Sequence, residues 1–309
     1  MTALLIDTDP GVDDALALLL AFATPGVEVV ALTIAAGNVG LMHTVANALK
    51  LCEVAGVSVP IYPGCATPLV RAAEDAAYVH GRDGFGDTGY TPTSRAAATE
   101  HAALAMLRLS GERPGELTFV MLGPLTNLAL ALRLDPTLPQ RVKHLVIMGG
   151  AVTGVGNTSV AAEFNIAFDP EAAHIVFGQW PSFDLVDWEA VLAHPLRHSE
   201  VERWLRADTA QARFYDAISK QTRQWSRPHH GENWHSADPL AIAVAVAPEG
   251  ILDVQSRPVA IELDGGLTRG ATIVDWQRRS GQPDNANIVR RYDQAKFEAM
   301  LEAALAGRT

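Results

Sequence analysis

The segment Asp7-Thr8-Asp9-Pro10-Gly11-Val12-Asp13-Asp14-Ala15 gathers four carboxylates around a Pro-Gly turn. Leu4 to Asp7 before it has the apolar run of a strand, and Asp13 to Ala23 after it the spacing of a helix. The acids therefore stand where a strand hands over to a helix, the edge of an open α/β sheet at which ligands bind. A helix dipole favours an acid in the first turn by only ~0.3–1 kcal/mol, while close carboxylates repel one another. No local cation offsets them: Asp7, Asp9, Asp13, Asp14 and Glu28 all precede Lys50, the first Lys or Arg of the chain. Two readings are open, a capped helix with solvated acids or a divalent-cation site. Oxygen ligands of this kind suit Ca²⁺ or Mg²⁺, and a carboxylate left free beside the ion could act as a base.

The elements that must hold this turn follow in alternation. Val27 to Ala35 reads as a strand and Leu41 to Ala55 as a helix. Leu117 to Leu122 is a strand, Leu125 to Leu134 a helix, Leu145 to Met148 a strand, Pro170 to Phe177 a helix and Phe183 to Val186 a strand. Strands apolar on both faces, alternating with helices, predict an α/β fold with a mainly parallel central sheet flanked by helices, Rossmann-like. A C-terminal helical and strand elaboration follows: a polar helix from Ser199 to Trp225, an irregular loop from Gln224 to Ser236, a helix at Asp238 to Ala247, strands at Leu252 to Leu263 and Ala271 to Asp275, and a closing helix at Asp293 to Ala306. No linker-like composition or repeat divides the chain, so residues 1–309 are expected to form a single domain.

Composition narrows the function. The 35 Asp and Glu against 24 Lys and Arg give a formal charge of −11, which argues against nucleic acid as a partner. The early apolar run Ala15 to Ala23 falls far short of the ~20 residues that span a bilayer, so no membrane association is expected. The first residues carry no basic, apolar signal pattern, which makes the cytoplasm the expected compartment. Cys52 and Cys65 are too few for a disulfide scaffold and lack metal-ligand spacing.

At the acidic turn the chain resembles the inosine-uridine-preferring nucleoside hydrolases. The resemblance continues in order through Ala36-Gly37-Asn38-Val39, His80-Gly81, Gly123-Pro124-Leu125-Thr126-Asn127, Met148-Gly149-Gly150, Ala162-Glu163-Phe164-Asn165 and Asp238-Pro239-Leu240-Ala241. It implies hydrolysis of the N-glycosidic bond of ribonucleosides, which releases ribose and the free base through an oxocarbenium-like ribose. It also implies Ca²⁺ held by Asp9, Asp14, Asp238 and the backbone carbonyl of Leu122, with Asp13 as general base on a Ca²⁺-bound water. Asn38, Met148, Asn157, Glu163 and Asn165 match positions that hold the ribose. A small-molecule ribonucleoside is then the partner, nucleoside salvage the setting, and a homodimer or homotetramer the assembly.

One position departs from the family pattern. The histidine that many members carry before the C-terminal aspartate is Ala237 here. A departing base needs a proton or a strong hydrogen bond, worth ~10²–10⁴-fold in rate. His235, His230, His229 and His80 are the candidates for that role, and Trp225 and Trp234 are candidates for stacking on the base. Each has a plainer reading, as a solvated loop histidine or a tryptophan that anchors its loop. Two rival functions stand beside the resemblance. Asp-x-Asp after a strand also opens a haloacid dehalogenase-type phosphatase, although Pro10-Gly11 stands where Gly-Thr belongs, and loss of the acid at Ala237 would suit a non-catalytic ribose- or calcium-binding protein.

Overall fold

The computed structural model describes residues 1–72 and 74–307. The first half runs β1 (Thr2–Thr8), α1 (Val12–Ala23), β2 (Val27–Ile34), α2 (Leu41–Ala55), β3 (Ile61–Pro63), α3 (Ala77–His80), α4 (Ala102–Glu112), β4 (Leu117–Met121), α5 (Thr126–Leu134) and β5 (His144–Met148). The second half runs α6 (Phe164–Phe168), α7 (Pro170–Gln179), β6 (Phe183–Val186), α8 (Trp188–Ala193), β7 (Leu196–Arg197), α9 (His198–Trp204), α10 (Ala210–His230), β8 (Asn233–Trp234), α11 (Asp238–Val246), β9 (Ile251–Arg257), β10 (Val259–Ile261), β11 (Thr272–Val274), β12 (Ala286–Tyr292) and α12 (Gln294–Leu305).

Eight strands form one sheet in the order β3-β2-β1-β4-β5-β6-β12-β9. All neighbours are parallel except β9, which runs antiparallel to β12 at the edge. Alternate side chains of each strand feed opposite cores: Leu4 and Ile6 of β1 face one layer, Ala3 and Leu5 the other. The first layer holds α1, which buries nine of its twelve residues and so lies inside the protein, packed against α11 and α12. The second holds α4, α5 and α7. The strand order reverses between β1 and β4, and a crevice opens outside their carboxyl ends at such a switch point. The acidic turn leaves β1 at that place. Among the described residues no helix is long and apolar enough to cross a membrane.

The C-terminal half departs from expectation in several places, three of which bear on its shape. The irregular segment predicted from Gln224 is helical as far as His230, with Pro228 tolerated inside the last turn of α10 and Gly231 ending it at φ +62°. The polar helix expected from Ser199 is two helices, α9 and α10. The strand expected over Leu252 to Leu263 is broken at Pro258 into β9, in the main sheet, and β10, which pairs with β11.

Candidate active site

Asp14 is the hub of the turn. Its Oδ1 accepts from the Thr8 hydroxyl and from the Asp9 N–H at 3.3 Å, and its Oδ2 accepts from the Gly11 N–H and the Asn38 amide, both at 2.9 Å. Burial, then the neighbouring Asp13 charge, pushes this carboxyl up to about 6. Asp9 is fully enclosed as well. Its Oδ2 accepts from the Asn38 N–H at 2.7 Å, while Oδ1 is buried without a partner. Burial and the Asp14 charge hold Asp9 well above the usual carboxylate range. Two glycines make room for it: a Cβ on Gly37 would lie 2.1 Å from Asp9 Oδ2, and one on Gly123 would lie 2.3 Å from Oδ1.

Asp238 arrives from the first turn of α11, the first position of a helix that continues with Pro239. It is buried, and burial with the charges of Asp13, Asp14 and Asp9 drives its carboxyl well up. Carboxylate oxygens of Asp13, Asp14 and Asp238 lie within 4.8 Å of one another. Asp13 keeps a buried Oδ1 without a hydrogen-bond partner. Asp7, although part of the same sequence run, turns away into a separate network: its Oδ2 accepts from Thr33 Oγ1 at 2.7 Å and Asn127 Nδ2 at 2.9 Å. Glu28, the fifth early acid, is paired with Arg113 at 3.1 Å.

Asp13 and Asp238 line the floor of a cavity of about 430 Å³, a volume suited to a small molecule, while Asp9 and Asp14 are enclosed and do not line it. No Lys or Arg lines it among the described residues. One wall comes from the segment after β5. Glu163 caps α6, with Oε1 accepting from the Asn165 N–H at 2.9 Å and Oε2 from the Gly150 N–H at 2.8 Å and the Ile166 N–H at 3.3 Å. Burial pushes Glu163 up to about 7. Asn165 Nδ2 donates to Leu122 O at 2.7 Å and to Met148 O at 3.3 Å, so the Leu122 carbonyl keeps one lone pair for another partner. Asn157 Oδ1 accepts from the Phe164 N–H at 2.9 Å and fixes the loop above the floor. Asn38 also lines the cavity, but its amide hydrogens go to Asp14 Oδ2 and, at 3.2 Å, Asp9 O, so it orients the carboxylates.

The far end is aromatic. His80 Nδ1 accepts from the Val12 N–H at 3.1 Å, which places the ring proton on Nε2, and stands 3.9 Å from Asp13 Oδ1. Burial lowers this imidazole to about 4, so it is neutral near pH 7. His235 is likewise lowered to about 4, first by burial and then by His230, which meets it edge to face at 4.9 Å. Its Nδ1 is buried with no partner. His230 lines the cavity; His229 does not, being stacked on Trp225 at 4.5 Å. Trp234 is a buried wall packed on Tyr215, whereas Trp225 is 38 % exposed at the mouth.

Every site residue expected from the sequence that reaches the cavity wall does so beside others that were not foreseen, notably Trp188, Tyr78 and Thr222. Trp188 stands two residues past β6 at the ligand-binding edge of the sheet, a placement that the strand pattern alone could have flagged. Tyr78 and Thr222 carried no such signal, because their segments reach the site through tertiary contacts, among them that of Thr222 Oγ1 with Val79 O at 3.1 Å.

The family model described as "Inosine-uridine preferring nucleoside hydrolase" matches residues 4–299. An inosine-uridine preferring nucleoside hydrolase from Leishmania major is 34% identical over 308 residues, covering 98% of this chain and 96% of its own length. Among solved structures, an inosine-guanosine nucleoside hydrolase superposes with a TM-score of 0.93 at 33% identity, covering 98% of each chain. A purine-preferring ribonucleoside hydrolase from Gardnerella vaginalis gives 0.91 at 29%, covering 99% of this chain and 98% of its own. With matches of this extent upon an acid-floored crevice at the sheet's switch point, the chain belongs to the inosine-uridine preferring nucleoside hydrolase family and is a ribonucleoside-hydrolysing enzyme.

Proposed function

We propose that residues 1–309 act as one calcium-dependent nucleoside N-ribohydrolase domain in which Asp13 is the general base. The observation that carries this reading is the enclosed carboxylate floor with, among the described residues, no cationic side chain lining the cavity to neutralise it. The donor set fits a hard divalent cation: an unpartnered Asp9 Oδ1 held in a cradle of two glycines, the converging oxygens of Asp14 and Asp238, and the free lone pair of Leu122 O. Asp9, Asp14, Asp238 and Leu122 O would hold the ion, and Ca²⁺ is favoured because it accepts many oxygen ligands in irregular geometry. When bound, such a cation orders a water and the ribose hydroxyls and makes that water more acidic.

The chain's own residues perform the remaining work. Asp13, whose Oδ1 has no internal partner, takes the proton from the attacking water. Glu163 and Asn157 on one wall, with Met148 beneath them, position the ribose, and Asn165 braces both Leu122 and Met148. As the N-glycosidic bond lengthens, the ribose gains positive charge, which the buried acids stabilise more strongly than the neutral ground state. His80 and His235, both neutral, offer ring N–H groups to the departing base in place of the histidine replaced by Ala237. Trp225 and Trp234 present aromatic faces for stacking on it. The family match displaces the phosphatase reading. Chelated protein should lose release of reducing sugar from inosine and uridine and regain it with Ca²⁺; undiminished turnover after chelation would overturn the calcium assignment.

A further inference from the structure

A second pair of acids, outside the floor, is used by none of these steps. Asp187 caps α8, accepting from the Ala190 N–H at 3.0 Å, and is fully buried. Its Oδ2 accepts from the Val152 N–H at 3.3 Å, and Glu189 Oε2 accepts from that same N–H at 2.9 Å. Glu189 Oε1 also takes the Thr153 N–H at 2.8 Å and the Thr153 hydroxyl. Two carboxyl groups converging on one N–H repel when both are ionised, and a proton held between them relieves that repulsion. Between these acids in sequence stands Trp188, which lines the cavity and donates its N–H to Gly150 O at 2.8 Å. Gly150 in turn donates to Glu163, and the loop that begins at Thr153 carries Asn157.

We propose that Asp187 and Glu189, sharing one proton, are positioning residues that clamp the Gly150–Thr153 turn and thereby set Trp188, Glu163 and the Asn157 loop around the substrate. This inference rests on the functional reading above and adds a part to it. The proton belongs to the pair, and burial favours holding it at Asp187. Burial, together with the Glu189 hydrogen bond and charge, raises Asp187 to about 8, while Glu189 is lowered. The sign follows from that direction. The clamp is strongest at low pH, weakens progressively as pH rises from the ordinary carboxylate range toward about 8, and above that both acids are ionised and repel. Glu189 is the charged group that faces Asp187. Just past α8, His194 is engaged by the main chain of Ala190 and Tyr292; on β6, Asp184 is engaged by His144; on β12, which packs against α8, Arg290 lies over the Trp276 ring and Arg291 is exposed; the 150–153 turn holds no ionisable side chain, Glu163 meets it at the Gly150 N–H, and His235 lies beyond Trp188.

The test compares the full-length wild type with Asp187→Asn, which keeps a capping side chain and a donor toward Glu189 but cannot ionise. Amide hydrogen exchange of the segment 149–158, corrected for intrinsic rates, and kcat/KM with inosine are measured from pH 6.5 to 9.5. In the wild type protection of the segment should fall about tenfold per pH unit up to about pH 8 and level off above it, where clamped and opened states bind the same protons, while kcat/KM should fall above pH 8 as the protonated clamp is titrated away. In Asp187→Asn both should stay within about threefold. Should Asp187→Asn fail to fold by circular dichroism, Glu189→Gln gives the same expectation, because its amide meets an ionised Asp187 as a donor. An alkaline loss in the variant that parallels the wild type would overturn the clamp. The exchange measurement does not depend on turnover, so failure of the functional reading leaves this test intact.

Discussion

Replacing Gly123 by alanine tests whether the Asp9 carboxylate must occupy the place the fold gives it. The new Cβ would meet Asp9 Oδ1 at 2.3 Å, whereas ordinary contact begins at 3.4 Å, so that oxygen has to retreat by about 1.1 Å. It cannot retreat freely. Asp9 is 1 % exposed, its Oδ2 is tied to the Asn38 N–H at 2.7 Å, and Gly37 closes the other side. A ligand oxygen misplaced by about 1 Å costs on the order of 10²-fold in rate, or ~2.7 kcal/mol of transition-state stabilisation. Overpacking adds ~1–3 kcal/mol of lost stability. Backbone strain does not contribute, because Gly123 has no positive φ. Calorimetric titration of the chelated protein with Ca²⁺ and steady-state release of reducing sugar from inosine are the assays. Gly123→Ala should lose about 10²-fold in kcat/KM and bind Ca²⁺ more weakly, while Gly40→Ala, whose Cβ meets nothing within 4 Å, should match wild type. Wild-type kcat/KM and Ca²⁺ affinity in Gly123→Ala would refute the assignment of Asp9.

Other substitutions and conditions separate the remaining roles. Asp13→Asn should lower kcat ~10²–10⁴-fold with KM changed only a few-fold; an unchanged kcat would remove Asp13 as the base. Ca²⁺ at about a hundred times its Kd should stabilise the chelated protein by ~2.7 kcal/mol, which for 309 residues is a rise of about 4 °C in Tm, and no rise would contradict a bound-ion site. Glu163→Ala removes a buried acceptor from the ribose wall and should reduce kcat/KM ~10–100-fold, read from the same sugar assay. Because His235 is pushed down to about 4 in the folded chain, the unfolded chain takes up a proton that the folded one refuses as pH falls below the usual 6.5. Stability should therefore decline between pH 6.5 and 4, and denaturant titrations of His235→Gln should show a shallower decline than wild type.

How much of this was legible in the sequence depended on where each residue's partners lie. Asp9, Asp13 and Asp14 stood out because turn, strand end and helix start are local, and their unbalanced charge could be counted along the chain. Asp7 looked equivalent, yet its partners Thr33 and Asn127 are distant, and only the fold shows that it faces away. The parallel core strands were readable as apolar runs. β12 was not, since its apolar Ala286, Ile288 and Val289 are mixed with Asn287, Arg290 and Arg291, toward the sheet edge beside antiparallel β9. The Pro, Gly and His residues after Gln224 signalled a loop. Instead the helix continues, supported by Trp225 stacked on His229 and Arg227 paired with Glu202, and only the missing N–H of Pro228 is forgone. Asn38 was expected to contact the ribose directly. It lines the cavity, and its amide hydrogens also brace Asp9 and Asp14, a role that sequence spacing could not reveal.

Anomalous scattering from crystals of the protein loaded with a divalent cation tests the central assignment most directly. The proposed assignment predicts one strong peak enclosed by Asp9, Asp14, Asp238 and the Leu122 carbonyl, with the Asp13 carboxylate beside it. No peak at a saturating concentration, or a peak away from these four residues in catalytically active crystals, would contradict it.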